Sequence, residues 1–247
     1  MIGNYTDSEI EKELELYERI TFNLDSNQYF NQIPILSKYV EGPDVLDLGC
    51  GPVLHNVGLA YQSAKNILGC DLIAKNLEFI EAQLAKKQMS EKQTRIVNYV
   101  RNLSKQKIED INLNSTWNNF KKSIKLQQQD ARDFNPQLAG KFNTVIQCGL
   151  IGCFTSKDEI QKTACHIYRY LKPNGVTVWI NWTRNSTSTG NPLYSGAEMA
   201  EKLTIDLYQE FLENSGFKIE ELTETANIRP VSLERGHRSV IWAVARK

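Results

Sequence analysis

The sequence predicts an α/β fold: a mostly parallel sheet of seven strands with helices on both faces and an antiparallel edge strand. Three observations carry this. Short apolar runs alternate with longer amphipathic stretches along most of the chain, the pattern of a sheet covered by helices. The first apolar run, "DVLDLG", breaks into two glycines one residue apart before helix-forming residues resume. The chain has 247 residues, 41% of them hydrophobic, which suits one domain with a packed core.

The elements follow in order. "DVLDLG" is strand one, and "VLHNVGLAYQSA" a helix with Val53, Val57, Ala60 and Ala64 at helical spacing. "NILGCD" is strand two, followed by the helix "NLEFIEAQLAKK" with Leu77, Ile80 and Leu84 on one face. "IKLQQQD" and "FNTVIQCG" are strands three and four. The helix "KDEIQKTACHIYRYL" stops at "KPNG", whose Pro and Gly cannot continue it. "VTVWINW", rich in β-branched and aromatic residues, is strand five. "AEMAEKLTIDLYQEFLENSG" reads as one helix, and "FKIEEL" and "RSVIWAVARK" as a closing antiparallel pair. Residues 86–123 exceed an ordinary helix-to-strand link. They hold the apolar piece "RIVNYV" and an amphipathic helix after its own loop, an elaboration on a single domain spanning 1–247.

Lys+Arg and Asp+Glu both number 29, which weighs against a nucleic-acid partner, since that would show a basic excess or stripe. No run approaches the roughly 18 apolar residues of a membrane span, and "MIGNYTDSEIEKELELYERI" is too polar for a signal peptide. The cysteines (Cys50, Cys70, Cys148, Cys153, Cys165) are odd in number and lack metal-ligand spacing, so reduced core thiols in a cytoplasmic protein are expected and no metal.

The glycine turn decides between ligands. A dinucleotide fingerprint needs G-x-G-x-x-G with a pyrophosphate at the helix N-terminus. Here Leu54 stands at the third glycine position and Pro52 follows the second glycine, removing an N–H where a diphosphate would want one. Asp71 ends strand two, placed to accept from ribose hydroxyls. That acid suits either NAD or S-adenosylmethionine; the glycine spacing and Pro52 favour the latter. With Asp47, Asp71 and Asp130 at successive strand ends, the carboxyl edge of the sheet is the expected ligand site.

"DLGCGP" resembles motif I of class I S-adenosylmethionine-dependent methyltransferases, whose fold is Rossmann-like. More narrowly, the stretch from "DLGCGP" to "EAQL" resembles the nicotinamide, phenylethanolamine, indolethylamine and thioether methyltransferase family. Asp71 and Asn76 keep its spacing, and "RIVNYVRNL", "LQQQDARDF", "YLKPNGVTVWIN" and "IWAVARK" are similar to its later segments. The resemblance implies that Gly49 and Gly51 pass beneath the methionine part of S-adenosylmethionine, and that Asp71 holds the ribose with Asn76 in support. Asp130 and Ala131 would take the adenine, and Gln147 and Cys148 would lie under the methionyl carboxylate and amine. It also implies an N-terminal helical lid over residues 1–40, with Tyr17 closing the site. Two departures stand out: His55 replaces a tyrosine of the family, and Asn181 replaces a carboxylate that often holds a substrate amine. A neutral amine or ring nitrogen is therefore favoured over a cation.

Methyl transfer from a sulfonium needs mostly alignment, and a base only when the nucleophile arrives protonated. No catalytic triad is expected. The substrate, a small metabolite, is expected at Asn181, Trp182, Arg184 and Tyr194, with Asn181 and His237 as the candidates for a catalytic role. Arg184, Arg229, Arg235 and Arg238 form either a solvated rim or a trap for a substrate carboxylate or phosphate. His237 in "ERGHRS" reads as a solvated loop histidine, and His166 as structural. N-methylation by a monomer is the first reading. O-, S- or C-methylation stays open, as does a cofactor-binding protein without turnover; a nucleic-acid methyltransferase fits the charge balance less well.

Overall fold

The computed structural model describes residue 8, residues 30–104, 112–184, 198–226, residue 233 and residues 236–247. Seven strands form one sheet in the order β3-β2-β1-β4-β5-β7-β6. They are β1 (Asp44–Leu48), β2 (Asn66–Asp71), β3 (Ile124–Gln128), β4 (Phe142–Cys148), β5 (Leu171–Arg184), β6 (Lys218–Ala226) and β7 (His237–Arg246). β1 to β5 pair in parallel, while β7 runs antiparallel between β5 and β6. The chain goes outward from β1 through β2 to β3, then returns to β4 on the other side of β1. This reversal opens a crevice at the carboxyl ends of β1 and β4, where open α/β sheets bind ligands.

The central strands are apolar on both faces because both are covered. On one face lie α1 (Gln32–Tyr39), the short α2 (Leu54–Val57), α3 (Ala74–Leu84), α4 (Glu91–Leu103) and α5 (Leu113–Ser123). Ile33, Leu36, Leu54, Ile80, Ile96 and Trp117 fill that side. On the other lie α6 (Lys157–Tyr170), α7 (Glu198–Lys202) and α8 (Ile205–Asn214), with Ile160, Ile167, Tyr208 and Phe211 against Leu46, Leu48 and Trp179.

Several elements differ from the sequence expectation for local physical reasons. The helix after the glycine turn is fragmented into a 3₁₀ turn (Gly51–Val53), the single turn of α2, and another 3₁₀ turn (Gly58–Ala60). Tyr61 leaves helical geometry there (φ −84°, ψ 66°), and its hydroxyl donates to the buried Asp47 Oδ2 at 2.8 Å. The helix expected over Ala197–Gly216 is two helices. Thr204 breaks it with extended backbone (φ −129°, ψ 163°) and caps α8, its hydroxyl accepting from Leu207 N at 3.2 Å.

The elaboration is two helices. α4 opens on a reciprocal capping box, with Ser90 Oγ accepting from Gln93 N and Gln93 Oε1 from Ser90 N. α5 buries Trp117 completely, and the Trp117 indole N–H donates to the Lys86 carbonyl at 2.9 Å. His237, expected in a solvated loop, is instead the first residue of β7, 7% exposed, and pairs in register with Arg184. No disulfide joins any of the five cysteines; Cys50 and Cys70 are buried and Cys153 is exposed. Among the described residues no helix is long and apolar enough to cross a membrane, and no cluster of His, Cys, Asp or Glu could hold a metal ion.

Candidate active site

The crevice between β1 and β4 is floored by the glycine turn. Gly49 and Gly51 both adopt left-handed backbone, at φ +72° and +55°, which a side chain disfavours. They differ in what surrounds them. A Cβ at Gly49 would lie 2.7 Å from Leu150 Cδ1, whereas one at Gly51 would meet nothing within 4 Å. Gly49 is thus required by packing, and Gly51 keeps open a space that a side chain would fill. We predict that Gly49→Ala destabilises the fold by about 1–3 kcal/mol through strain and overpacking, measured as a lower urea midpoint at unchanged m-value.

The backbone donors of this turn are already committed. Gly49 N and Cys50 N donate to the Cys70 carbonyl at 2.8 and 3.0 Å. Gly51 N donates to Asp71 Oδ2 at 2.8 Å, and residue 52 is proline. Positions 49–52 therefore offer no amide to a diphosphate. Asp71, the last residue of β2, is 7% exposed. Its Oδ1 accepts from Ile73 N at 2.9 Å and from Asn76 Nδ2 at 3.1 Å. Burial raises its pKa from the ordinary carboxylate range, partly offset by the amides of Ile73 and Gly51 and by Asn76. Three fixed groups thus hold one carboxylate beside the space over Gly51.

Asp47, in β1, is 2% exposed, and its Oδ1 is buried with no hydrogen-bond partner. Burial is the main cause that pushes its pKa up to about 7; the Tyr61 hydroxyl opposes this and the Asp71 charge adds to it. At the end of β4, Cys148 Sγ donates to Gln32 Oε1 of α1 at 2.7 Å. Gln147 is fully buried, with Oε1 accepting from Asn181 Nδ2 at 3.1 Å. Asn181 Nδ2 also donates to the Tyr208 hydroxyl, and Asn181 Oδ1 accepts from Gly152 N at 3.3 Å. Asn181 is completely buried, so it braces β4 against α8.

The remaining expected residues divide. Asp130 lies two residues beyond β3 and is gripped by Arg132, whose Nε lies 2.9 and 3.0 Å from its two oxygens. That ion pair holds the Asp130 carboxyl below its usual range, and an adenine amino group would compete with it. Ala131 is buried beside it, its carbonyl 3.3 Å from His166 Nδ1. Trp182 stands over Gly149, at 3.6 Å from where a Cβ would be, and meets Phe30 edge-on at 6.4 Å between centroids. His55 sits on α2 against Phe79 of α3, buried, with its pKa pushed down to about 4, chiefly by desolvation. A neutral imidazole at physiological pH follows. Tyr17, Tyr194, Arg229 and Arg235 lie outside the described residues. Sequence reasoning missed Gln32, Phe30, Tyr61, Arg132 and Tyr208. Tyr61 and Arg132 lie inside family-like stretches quoted above but were not singled out there; Arg132, two residues from Asp130, had a local signal, and Gln32, Phe30 and Tyr208 had none.

No protein-family model matches the chain, and no curated protein matches its sequence. Solved structures do. A SAM-dependent methyltransferase from Methanosarcina mazei superposes with a TM-score of 0.58 at 13% identity, covering 87% of this chain and 97% of the other. One from Aquifex aeolicus gives 0.55 at 13% identity over 98% and 99%. One from Mesorhizobium loti gives 0.53 at 17% identity over 87% and 95%. The chain has the fold of S-adenosylmethionine-dependent methyltransferases. Within this methyltransferase fold, the open space over Gly51 and the oriented Asp71 carboxylate suit an uncharged nucleoside, and the occupied amides of the turn do not suit a pyrophosphate. Nothing in these similarities bears on the narrower family that the sequence resembles.

Proposed function

We propose that the protein is an S-adenosylmethionine-dependent methyltransferase that methylates a nitrogen of a small-molecule metabolite. The observation that carries the cofactor is the pairing of an amide-depleted glycine turn with a buried, fully oriented carboxylate at the end of β2. When bound, S-adenosylmethionine supplies an activated methyl group on a sulfonium. The chain's own residues hold and align. Asp71 accepts from the ribose hydroxyls, Asn76 fixes its rotamer, and Gly51 leaves room for the ligand to lie against the backbone. Trp182 and Phe30 form an aromatic wall at the carboxyl end of β4 and β5, excluding water and orienting a flat acceptor.

Acceptance of a neutral nitrogen is supported by the absence of a carboxylate at position 181, where the family that the sequence resembles often places one to hold a substrate amine; Asn181 itself is buried within β5, against Gln147, Tyr208 and Gly152, and does not face the substrate. A lone pair then attacks with its nucleophile already deprotonated, so no general base is required. Orientation in a near-attack geometry provides the rate. The test is transfer of labelled methyl from S-adenosylmethionine into a panel of pyridines, indoles, amines and phenols, read by product mass. Methylation at nitrogen supports the reading, and methylation confined to oxygen, sulfur or carbon overturns the choice of atom. Protection of the fold by micromolar NADH, without protection by S-adenosylhomocysteine, overturns the cofactor.

A further inference from the structure

The Asp130 carboxylate is already saturated by one neighbour. Asp130 follows β3, and the adjacent Gln129 N donates to the Asp71 carbonyl at 2.9 Å, so the end of β3 lies beside the residue assigned to the ribose. A carboxylate offers about four lone-pair sites, and Arg132 takes them all. Asp130 Oδ1 accepts from Arg132 N and Nε, both at 2.9 Å, and Oδ2 from Nε at 3.0 Å and Nη2 at 2.5 Å. A further donor has to displace the guanidinium. The same arginine has a second seat. Its Nη1 lies 3.4 Å from Oε1 of Glu159, in the first turn of α6. Glu159 is held there by its other oxygen, which accepts from the Thr155 amide at 2.8 Å and the Thr155 hydroxyl at 2.9 Å. The backbone near Arg132 is tied down: Asp133 N donates to the Asp130 carbonyl at 3.2 Å, and Thr163 Oγ1 donates to the Ala131 carbonyl at 3.4 Å. The Arg132 side chain, 42% exposed, is what can move. One cation thus stands between two carboxylates, the near one full and the far one weakly engaged.

We propose that Arg132 guards the adenine end of the cofactor site: binding expels its guanidinium from Asp130 onto Glu159, and Arg132 and Glu159 together set how tightly an amino-bearing base is held. This rests on the methyltransferase reading above, with Asp130 accepting from the adenine amino group. Arg132 is then a competitor of the ligand and not a contact to it. Glu159 acts through Arg132, as a positioning residue that receives the displaced charge. The base must therefore bring a donor strong enough to replace the arginine, and a base with an acceptor at that position gains nothing when the arginine leaves.

Calorimetry on the full chain with two nucleosides tests this. S-adenosylhomocysteine carries the 6-amino donor, whereas S-inosylhomocysteine has an oxygen there and cannot donate to Asp130. Arg132→Ala is expected to tighten S-adenosylhomocysteine by about three- to tenfold, because a forked arginine–carboxylate pair exceeds an ordinary exposed ion pair. It should leave S-inosylhomocysteine no tighter. Arg132→Met, which keeps the length of the side chain without its charge, should do the same and guards against misfolding of the first variant. Glu159→Gln keeps an acceptor for Thr155 but offers no charge to the expelled guanidinium. It should weaken S-adenosylhomocysteine by about two- to fivefold in the original chain and have no effect when combined with Arg132→Ala. Weaker or unchanged binding of S-adenosylhomocysteine by both arginine variants, equal tightening of the two nucleosides, or a Glu159→Gln effect that persists without Arg132 overturns the proposal while leaving the cofactor reading intact. If neither the original chain nor any variant binds S-adenosylhomocysteine, the cofactor reading falls with it.

Discussion

Asp71→Ala should abolish useful cofactor affinity. The carboxylate makes two charge-assisted hydrogen bonds to the ribose in our account, each worth about 1.5–3 kcal/mol. Their joint loss corresponds to roughly a hundredfold to ten-thousandfold weaker binding. The substitution also releases Gly51 N, Ile73 N and Asn76 Nδ2 from their shared acceptor, so the turn itself loses its anchor. Asp71→Asn separates the two effects. It keeps the shape but turns one acceptor oxygen into a donor facing other donors, so it should lose affinity while preserving most of the fold. Titration calorimetry with S-adenosylhomocysteine measures both. Affinity retained in Asp71→Ala within a few-fold would remove the ribose assignment.

Asp47→Asn is expected to stabilise the protein at alkaline pH. Burial holds the Asp47 carboxyl at about 7, against about 3.9 in an unfolded chain. The folded state therefore binds the proton more tightly. The contribution of this group is fully present below the unfolded value and is lost as pH rises through about 7. The full difference amounts to on the order of 4 kcal/mol. Asparagine keeps an acceptor for the Tyr61 hydroxyl and cannot ionise, so the variant escapes the loss. Urea unfolding at pH 5 and pH 8 should show the original chain losing stability relative to Asp47→Asn over that interval. Parallel curves would mean that Asp47 stays ionised at neutral pH, and that its surroundings are more polar than the enclosed geometry indicates.

The sequence carried the sheet and the turn because those depend on local pattern. Alternating apolar runs gave all seven strands, and the spacing of Gly49, Gly51, Pro52 and Asp71 marked the turn after β1 and the end of β2. The break at Thr204 was present as a cap signal, a threonine before Ile205 with Asp206 in the first helical turn, but the apolar periodicity on either side masked it. The closing strands were legible as an antiparallel pair, while the insertion of β7 between β5 and β6 is a long-range choice that no local pattern encodes. The same holds for the hydrogen bond between Cys148 and Gln32. Gln32 and Cys148 are 116 positions apart, and only the packing of α1 on the sheet brings them together. His237 was misplaced because "ERGH" reads as a turn, although the strand starts on the histidine itself.

A crystal structure with S-adenosylhomocysteine tests the central claim most directly. The ribose hydroxyls should lie within hydrogen-bonding distance of the Asp71 carboxylate, with the backbone at Gly51 in van der Waals contact with the ligand. A nucleoside bound elsewhere, or a sugar turned away from Asp71, would contradict it.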